Sequence, residues 1–262
     1  SRGNRGLAME HKITNAKTLY FGSLISLIII AIAYGKIEQD QSYHAFADSR
    51  TFFGIQNSLD VISNLAILFP GILGLALHIR RRGVFEYRGK IESLIHYHLF
   101  AGMLVTFLGS VLYHLDPNDS TLLLDRVGMA IVIASYCSLL VCDFISIKLA
   151  NSLHFPLIVL GISTLFYWVL IDDLRAYFIF KHQPLILILI LLMYGKKSYD
   201  KSQYYLWSMT FVLLATLVEN LDSEIYEAIG IISGHTLKHI FAGISLWWIY
   251  KMIADRNKII SE

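Results

Sequence analysis

Eight apolar stretches, near residues 18–34, 57–79, 94–114, 125–147, 153–171, 176–194, 204–221 and 231–252, constrain this chain more than any other feature. A helix needs about 20 predominantly apolar residues to cross a hydrocarbon core, and each stretch reaches or approaches that length. Composition agrees: 55% of the 262 residues are hydrophobic and 16% are charged, whereas soluble domains carry about 25% charged residues. We therefore expect an all-α, polytopic transmembrane helical bundle. No repeat of 20–50 residues and no Pro/Gly/Ser-rich linker divides it, so one membrane domain is expected. Pro70 and Pro184 fall inside apolar runs, where a missing backbone donor kinks a helix.

Loop charges set an orientation, since lysine and arginine favour the cytoplasmic side. Lys12 and Lys17 precede the first segment, and Arg80, Arg81, Arg82, Arg88 and Lys90 separate the second from the third. Lys148 follows the fourth, Lys196, Lys197 and Lys201 the sixth, and Lys251, Arg256 and Lys258 the eighth. All of these lie on one side if all eight segments span. The opposite loops are acidic or mixed, with Glu38, Asp40, Asp48, Asp116, Asp119, Asp172, Asp173, Asp222, Glu224 and Glu227. Both termini are then cytoplasmic. Ser1 to Ala8 read as a remnant of expression ahead of a native Met9. Ala31-Ile32-Ala33 resembles a signal-peptide cleavage site, but the segment before it is read as a retained anchor. The expected division is 1–8 remnant, 9–56 N-terminal helix and outer loop, 57–252 core, and 253–262 cytoplasmic tail. A net charge of +2 gives no reason to invoke nucleic acid.

Polar groups inside such segments cost roughly 2.5–3.5 kcal/mol each on insertion scales, so a cluster of them calls for a function. His235 and His239 lie one turn apart in the eighth segment, on one helix face. His114 ends the third segment, with Ser110 one turn before it, and Asp125 follows eleven residues later in the first turn of the fourth. The orientation puts all of them in the outer half of the bilayer. Three imidazoles with a vacant fourth position make the open tetrahedral site of a catalytic zinc, which can lower the pKa of water to about 7. Asp125 is placed to hold that water and accept its proton, and Ser110 to donate to a developing oxyanion.

Blander accounts compete at each position. A histidine pair can bridge helices through hydrogen bonds alone, bis-histidine haem ligation normally needs opposed histidines, and Ser110 can be a small packing residue. Asn57, Asp60 and Asn64 share the depth of the cluster and either support it or stitch helices together. Glu219 and Asn220 can pair with Arg126 or Lys238. His96 and His98 belong to the opposite end of their segment, and His11, His44, His78, His154 and His182 have no assignable partners. Cys137 and Cys142 sit five apart in one apolar run, cannot bridge there, and read as small buried hydrophobes.

These residues carry a resemblance. Asn57-Ser58-Leu59-Asp60-Val61-Ile62-Ser63-Asn64, Gly109-Ser110 with His114, Asp125-Arg126, and Gly234-His235 with Lys238-His239 resemble, in order, the alkaline ceramidase family of the CREST superfamily of membrane hydrolases. The match runs over residues 44–252 and takes in seven segments, which leaves 18–34 as an extra helix. His44-Ala45-Phe46-Ala47-Asp48-Ser49-Arg50 looks more like the bacterial branch, and a bacterial inner membrane is the implied location. The resemblance implies Zn2+ on His114, His235 and His239, Asp125 as base and Ser110 as stabiliser of the reacting oxygen. It also implies an N-acyl lipid substrate such as ceramide, entering from the outer leaflet. Animal members carry a calcium site in an acidic segment. Here Tyr43 to Asn57 keeps Asp48 and Asn57 but lacks the dense acidic run, which puts calcium in doubt. A lipid esterase or phospholipase with the same site, and a receptor or transporter whose histidines gate or carry ions, are the alternatives.

Overall fold

The computed structural model describes the backbone of residues 2–81 and 87–259 and the side chains of 14–80 and 87–259. Residues 1–8, His11, Lys12, Arg81 and Arg82 therefore lie outside the described side chains. Among the described residues the chain is all α, with two isolated β-bridges and no strand. The helices are α1 (Arg2–Tyr34), α2 (Ser58–Ser63), α3 (Leu65–Arg81), α4 (Lys90–Leu115), α5 (Asp119–Phe144), α6 (Ile147–Ile171), α7 (Arg175–Tyr194), α8 (Tyr204–Asn220), α9 (Asp222–Ile229) and α10 (Gly234–Asp255), with a 3-10 turn at Gln41–His44.

The protein is a multi-pass membrane protein: six spans, from Thr14–Tyr34 to Arg175–Tyr194, are long and apolar enough to cross a bilayer. Helix α8 has 17 residues, about 26 Å of helix, and α10 carries His235, Lys238 and His239 in its first two turns. Neither is among the six, and α10 packs against α8 and α3.

Local chemistry moves several segment boundaries. The 57–79 stretch is two helices, because Asn64 interrupts the ladder. Its Nδ2 donates to the Asp60 carbonyl at 2.8 Å, and its own carbonyl starts the next helix by accepting from Ile67 and Leu68. Helix α5 begins at Asp119, where Asn118 and Thr121 form a reciprocal capping box. Asp125 is consequently in the second turn, not the first. Ser146 caps α6 by accepting from Leu149 N at 3.1 Å, six residues before the apolar run suggests. Ser233 caps α10, so His235 is in its first turn and His239 in its second. The amphipathic α9 lies in what the sequence reads as a loop.

Helices α4 and α5 meet backbone to backbone. A Cβ on Gly109 would stand 2.4 Å from the Leu124 carbonyl oxygen, and one on Gly128 2.3 Å from Thr106 N. Small residues permit this approach in lipid, where packing rather than water exclusion drives association. Here it sets Ser110 and His114 beside the Asp125 turn. Gly243 does the same for α10 against Ala66 of α3. Helix α1 packs along α7 at the bundle edge, and Tyr20 donates a hydrogen bond to Gln183.

At the opposite end from the histidines, a buried ionic cluster closes the bundle. Arg256 donates to Glu92 at 2.9 Å and to Asp143 at 2.7 Å, and its guanidinium lies 3.8 Å from the Tyr199 ring centroid. Arg88 reaches the same two carboxylates at 3.6 and 3.2 Å, while Tyr199 and Tyr205 donate to one each. Removing one partner of a buried pair strands a charge and costs about 3–5 kcal/mol. Arg256→Met is thus expected to lower the thermal unfolding midpoint in detergent markedly, and an unchanged midpoint would mean that the cluster does not hold the C-terminal turn in place.

Candidate metal centre

Three imidazoles from two helices converge at one end of the bundle. His114, in the last turn of α4, and His235 and His239, in the first two turns of α10, have ring centroids 4.8–4.9 Å apart in every pairing. One nitrogen from each falls within 4.8 Å of the others, and all three residues are buried. His114 Nε2 and His239 Nε2 are 3.3 Å apart. Two ligands held about 2.0–2.1 Å from a tetrahedral metal are themselves about 3.3–3.4 Å apart, so this edge fits a metal ion.

Surrounding contacts fix the ring orientations. His239 Nδ1 lies 3.1 Å from the Asp60 carbonyl oxygen and 2.8 Å from Ser63 Oγ. A carbonyl only accepts, so Nδ1 carries the proton and Nε2 presents its lone pair to the cluster. Asn57 Nδ2 donates to the His114 carbonyl at 2.8 Å, and Thr236 Oγ1 donates to Asp60 Oδ1 at 2.6 Å. Asn57 and Asp60 thus support the site directly, and Asn64 acts on it through the Asp60 carbonyl. His114 Nδ1 is buried without a hydrogen-bond partner, while its Nε2 is the nitrogen that faces His239.

Ser110 and Asp125 are both buried, at 2% and 8% exposure. Among the described residues no hydrogen bond joins either of them to the three histidines. Ser110 is one turn below His114 on the same face, and Asp125 sits across the Gly109 contact, within electrostatic range of Lys238 and Arg126. Lys238 Nζ lies 3.3 Å from His235 Nε2 and donates to Glu219 at 2.7 Å. That ion pair, one of the two anticipated from the sequence, offsets the ammonium charge beside a cation site. Arg126 donates instead to Gln39 and stacks 4.3 Å from the Trp168 ring centroid.

The segment between α1 and α2 covers the centre. Phe46 lies 4.7 Å from the His114 ring and 4.8 Å from the His235 ring, between centroids. Tyr43 donates to Glu219 at 2.8 Å, and burial pushes its hydroxyl up to about 12, which keeps it a donor. Asp222 accepts from Ala47 N and His235 N, tying this cover to the start of α10. Asp48 accepts two side-chain hydrogen bonds from Arg50, which hold its carboxyl below the usual carboxylate range. Asn57 points its amide at His114 instead of joining Asp48.

Several histidines without assignable partners prove to have them. His44 contacts Tyr113 and Asp119, His78 contacts Tyr87, and His182 contacts the Phe178 carbonyl. His154 lies 2.8 Å from His98 and 3.0 Å from Ser138. Their partners are distant in sequence or on other helices, with the exceptions of His78 and His182, so spacing alone could not have revealed most of them. A second group, Glu92, Cys142 and Asp143, also has metal-ligating atoms close together. Arg88 and Arg256 already neutralise its two carboxylates, so a divalent ion there would meet two guanidinium groups. Both cysteines are buried and free.

Beside the centre, a cleft of about 200 Å³ opens between α5, α7, α8 and α10. Lys181, Glu219 and Lys238 are its charged lining, His182, Ser208, Thr216 and Ser245 add neutral polar groups, and most of the rest, such as Val132, Ile188 and Leu246, is apolar. Lys238, whose Nζ lies 3.3 Å from His235 Nε2, also lines the cleft, so the cleft borders the histidine cluster, although none of the three histidines lines it. No family model and no curated protein matches the chain.

Proposed function

We propose that this protein is a zinc-dependent intramembrane hydrolase that cleaves the amide bond of ceramide-like N-acyl lipids to a fatty acid and an amine. The observation carrying this proposal is a buried three-histidine cluster bordered, through Lys238, by a largely apolar cleft. His114, His235 and His239 hold the zinc. A zinc ion bound there supplies Lewis acidity, acidifying water and polarising a carbonyl oxygen.

The chain's own groups do the rest. The cleft takes the acyl chain and presents the amide at the Lys238 end. Ser110 donates a hydrogen bond to the carbonyl oxygen as it gains charge. Asp125 accepts a proton from the water that adds to the carbonyl carbon, then passes it to the departing nitrogen as the C–N bond breaks. Phe46 and Tyr43 limit bulk water above the site. Loop charges support an orientation with both termini in the cytoplasm and the site toward the outer face, where a lipid enters laterally from the outer leaflet.

Metal analysis of purified protein, combined with mass spectrometry of lipids before and after incubation, tests the proposal. We expect about one zinc per chain and release of a fatty acid together with a free amine. Intact lipids, with metal-dependent uptake into proteoliposomes, would replace the hydrolase by a transporter.

A further inference from the structure

Lys181 is the charged group in the cleft that the reaction above does not use. It lies in α7, about 9 Å along the helix from its first residue, and faces the cleft among apolar side chains. Among the described residues it has neither a hydrogen bond nor an ion pair. Two carboxylates act on it electrostatically, Glu219 and Asp125; Glu219 already binds Lys238 at 2.7 Å and Tyr43 at 2.8 Å, and Asp125 makes no hydrogen bond or ion pair with it. The cleft therefore carries an ammonium without a direct partner, alongside an ion pair that is already satisfied. A charge in a membrane helix without a direct partner is costly and points to a ligand pathway.

Depth argues in the same direction. Asp125 lies about 9 Å along α5 from its first residue and His239 about 8 Å along α10, each counted, like Lys181, from the end of its helix that belongs to the site. An acyl chain in the apolar part of the cleft, with its amide at the histidines, leaves the amine side of the molecule within reach of the Lys181 wall. A neutral headgroup would leave the lysine unpaired; an oxyanion would satisfy it by a charge-assisted hydrogen bond.

We propose that Lys181 is a specificity residue for an anionic group on the amine side of the substrate, so that the preferred lipid is an N-acyl compound bearing a carboxylate, sulfonate or phosphate. The identity of the cleaved bond rests on the hydrolase proposal; the anion site does not. Two measurements keep them separable. Binding is followed with hexadecyloxyacetate and 2-hexadecyloxyethanol, an anionic and a neutral ether that contain no amide. Turnover is followed with N-palmitoylglycine and N-palmitoylethanolamine, on the zinc-loaded protein in nanodiscs.

The wild-type protein is expected to bind the anionic ether more tightly. Lys181→Met is expected to reduce that preference roughly ten- to hundredfold, the loss of one hydrogen bond to a charged group, and Lys181→Arg to retain it. In turnover, Lys181→Met is expected to raise KM for N-palmitoylglycine more than it lowers kcat. Equal binding of the two ethers by the wild type, or an unchanged preference in Lys181→Met, would overturn the proposal. Lys181-dependent binding of palmitate, with both amides cleaved equally, would also overturn it by assigning the anion to the product. Lys181-dependent ether selectivity without cleavage of any amide would support the anion site and remove the hydrolase.

Discussion

His239→Ala is expected to abolish metal binding and turnover together. The residue offers Nε2 at 3.3 Å from His114 Nε2, a separation that matches a tetrahedral edge. Its orientation comes from the Asp60 carbonyl and Ser63 Oγ rather than from the metal, so the centre is prearranged. Alanine removes the ligand and leaves a two-histidine remnant, too few for a catalytic zinc with three protein ligands. Zinc content after dialysis should fall to background, with hydrolysis falling alongside it. Ser63→Ala separates ligand from support: it keeps all three imidazoles and should weaken zinc affinity by roughly 10–100-fold, so excess zinc restores activity. Full zinc occupancy in His239→Ala would sink the ligand assignment. Failure of zinc to rescue Ser63→Ala would show that the hydroxyl does more than orient the ring.

The residues that were legible in the sequence are those whose chemistry repeats within one helix. His235 and His239 declare a shared face by their spacing, and Ser110 and His114 do the same; the bundle then brings the histidine pair to His114. Apolar length located most of the helices, because a bilayer enforces it. Helix ends were less legible, since caps decide them: Asn118 with Thr121 starts α5 before the apolar run, and Asn64 divides a continuous apolar stretch by competing for the Asp60 carbonyl. Contacts made across the bundle carried no local signal. Phe46 reads as one more aromatic until the segment between α1 and α2 folds over His114 and His235. Arg256, counted as a loop charge, turns inward to Glu92 and Asp143. Lys181 did leave a trace, as an ionisable residue inside a hydrophobic segment, but its missing partner emerges only when the cleft and the Glu219–Lys238 pair are both in view.

Asp125→Asn is expected to retain zinc and lose turnover, with kcat lower by roughly 10²–10⁴-fold, the usual contribution of a positioned general base. The substitution keeps side-chain volume, which matters because α4 and α5 touch through Gly109 at this turn. It changes one property: an amide cannot take up the proton of an attacking water. The carboxylate has no hydrogen bond to the histidines among the described residues, so its loss should not disturb the ligands. Of its electrostatic neighbours, Lys238 and Arg126 have other partners in Glu219 and Gln39 and can stay in place in the variant, while Lys181 keeps the field of Glu219 alone. Zinc content and unfolding midpoint should therefore match the wild type while the chemical step fails. A base acting within the site also predicts that Asp125→Glu recovers part of the rate. An Asp125→Asn variant that turns over normally would remove Asp125 as base, whereas one that loses zinc would recast it as a support of the metal centre.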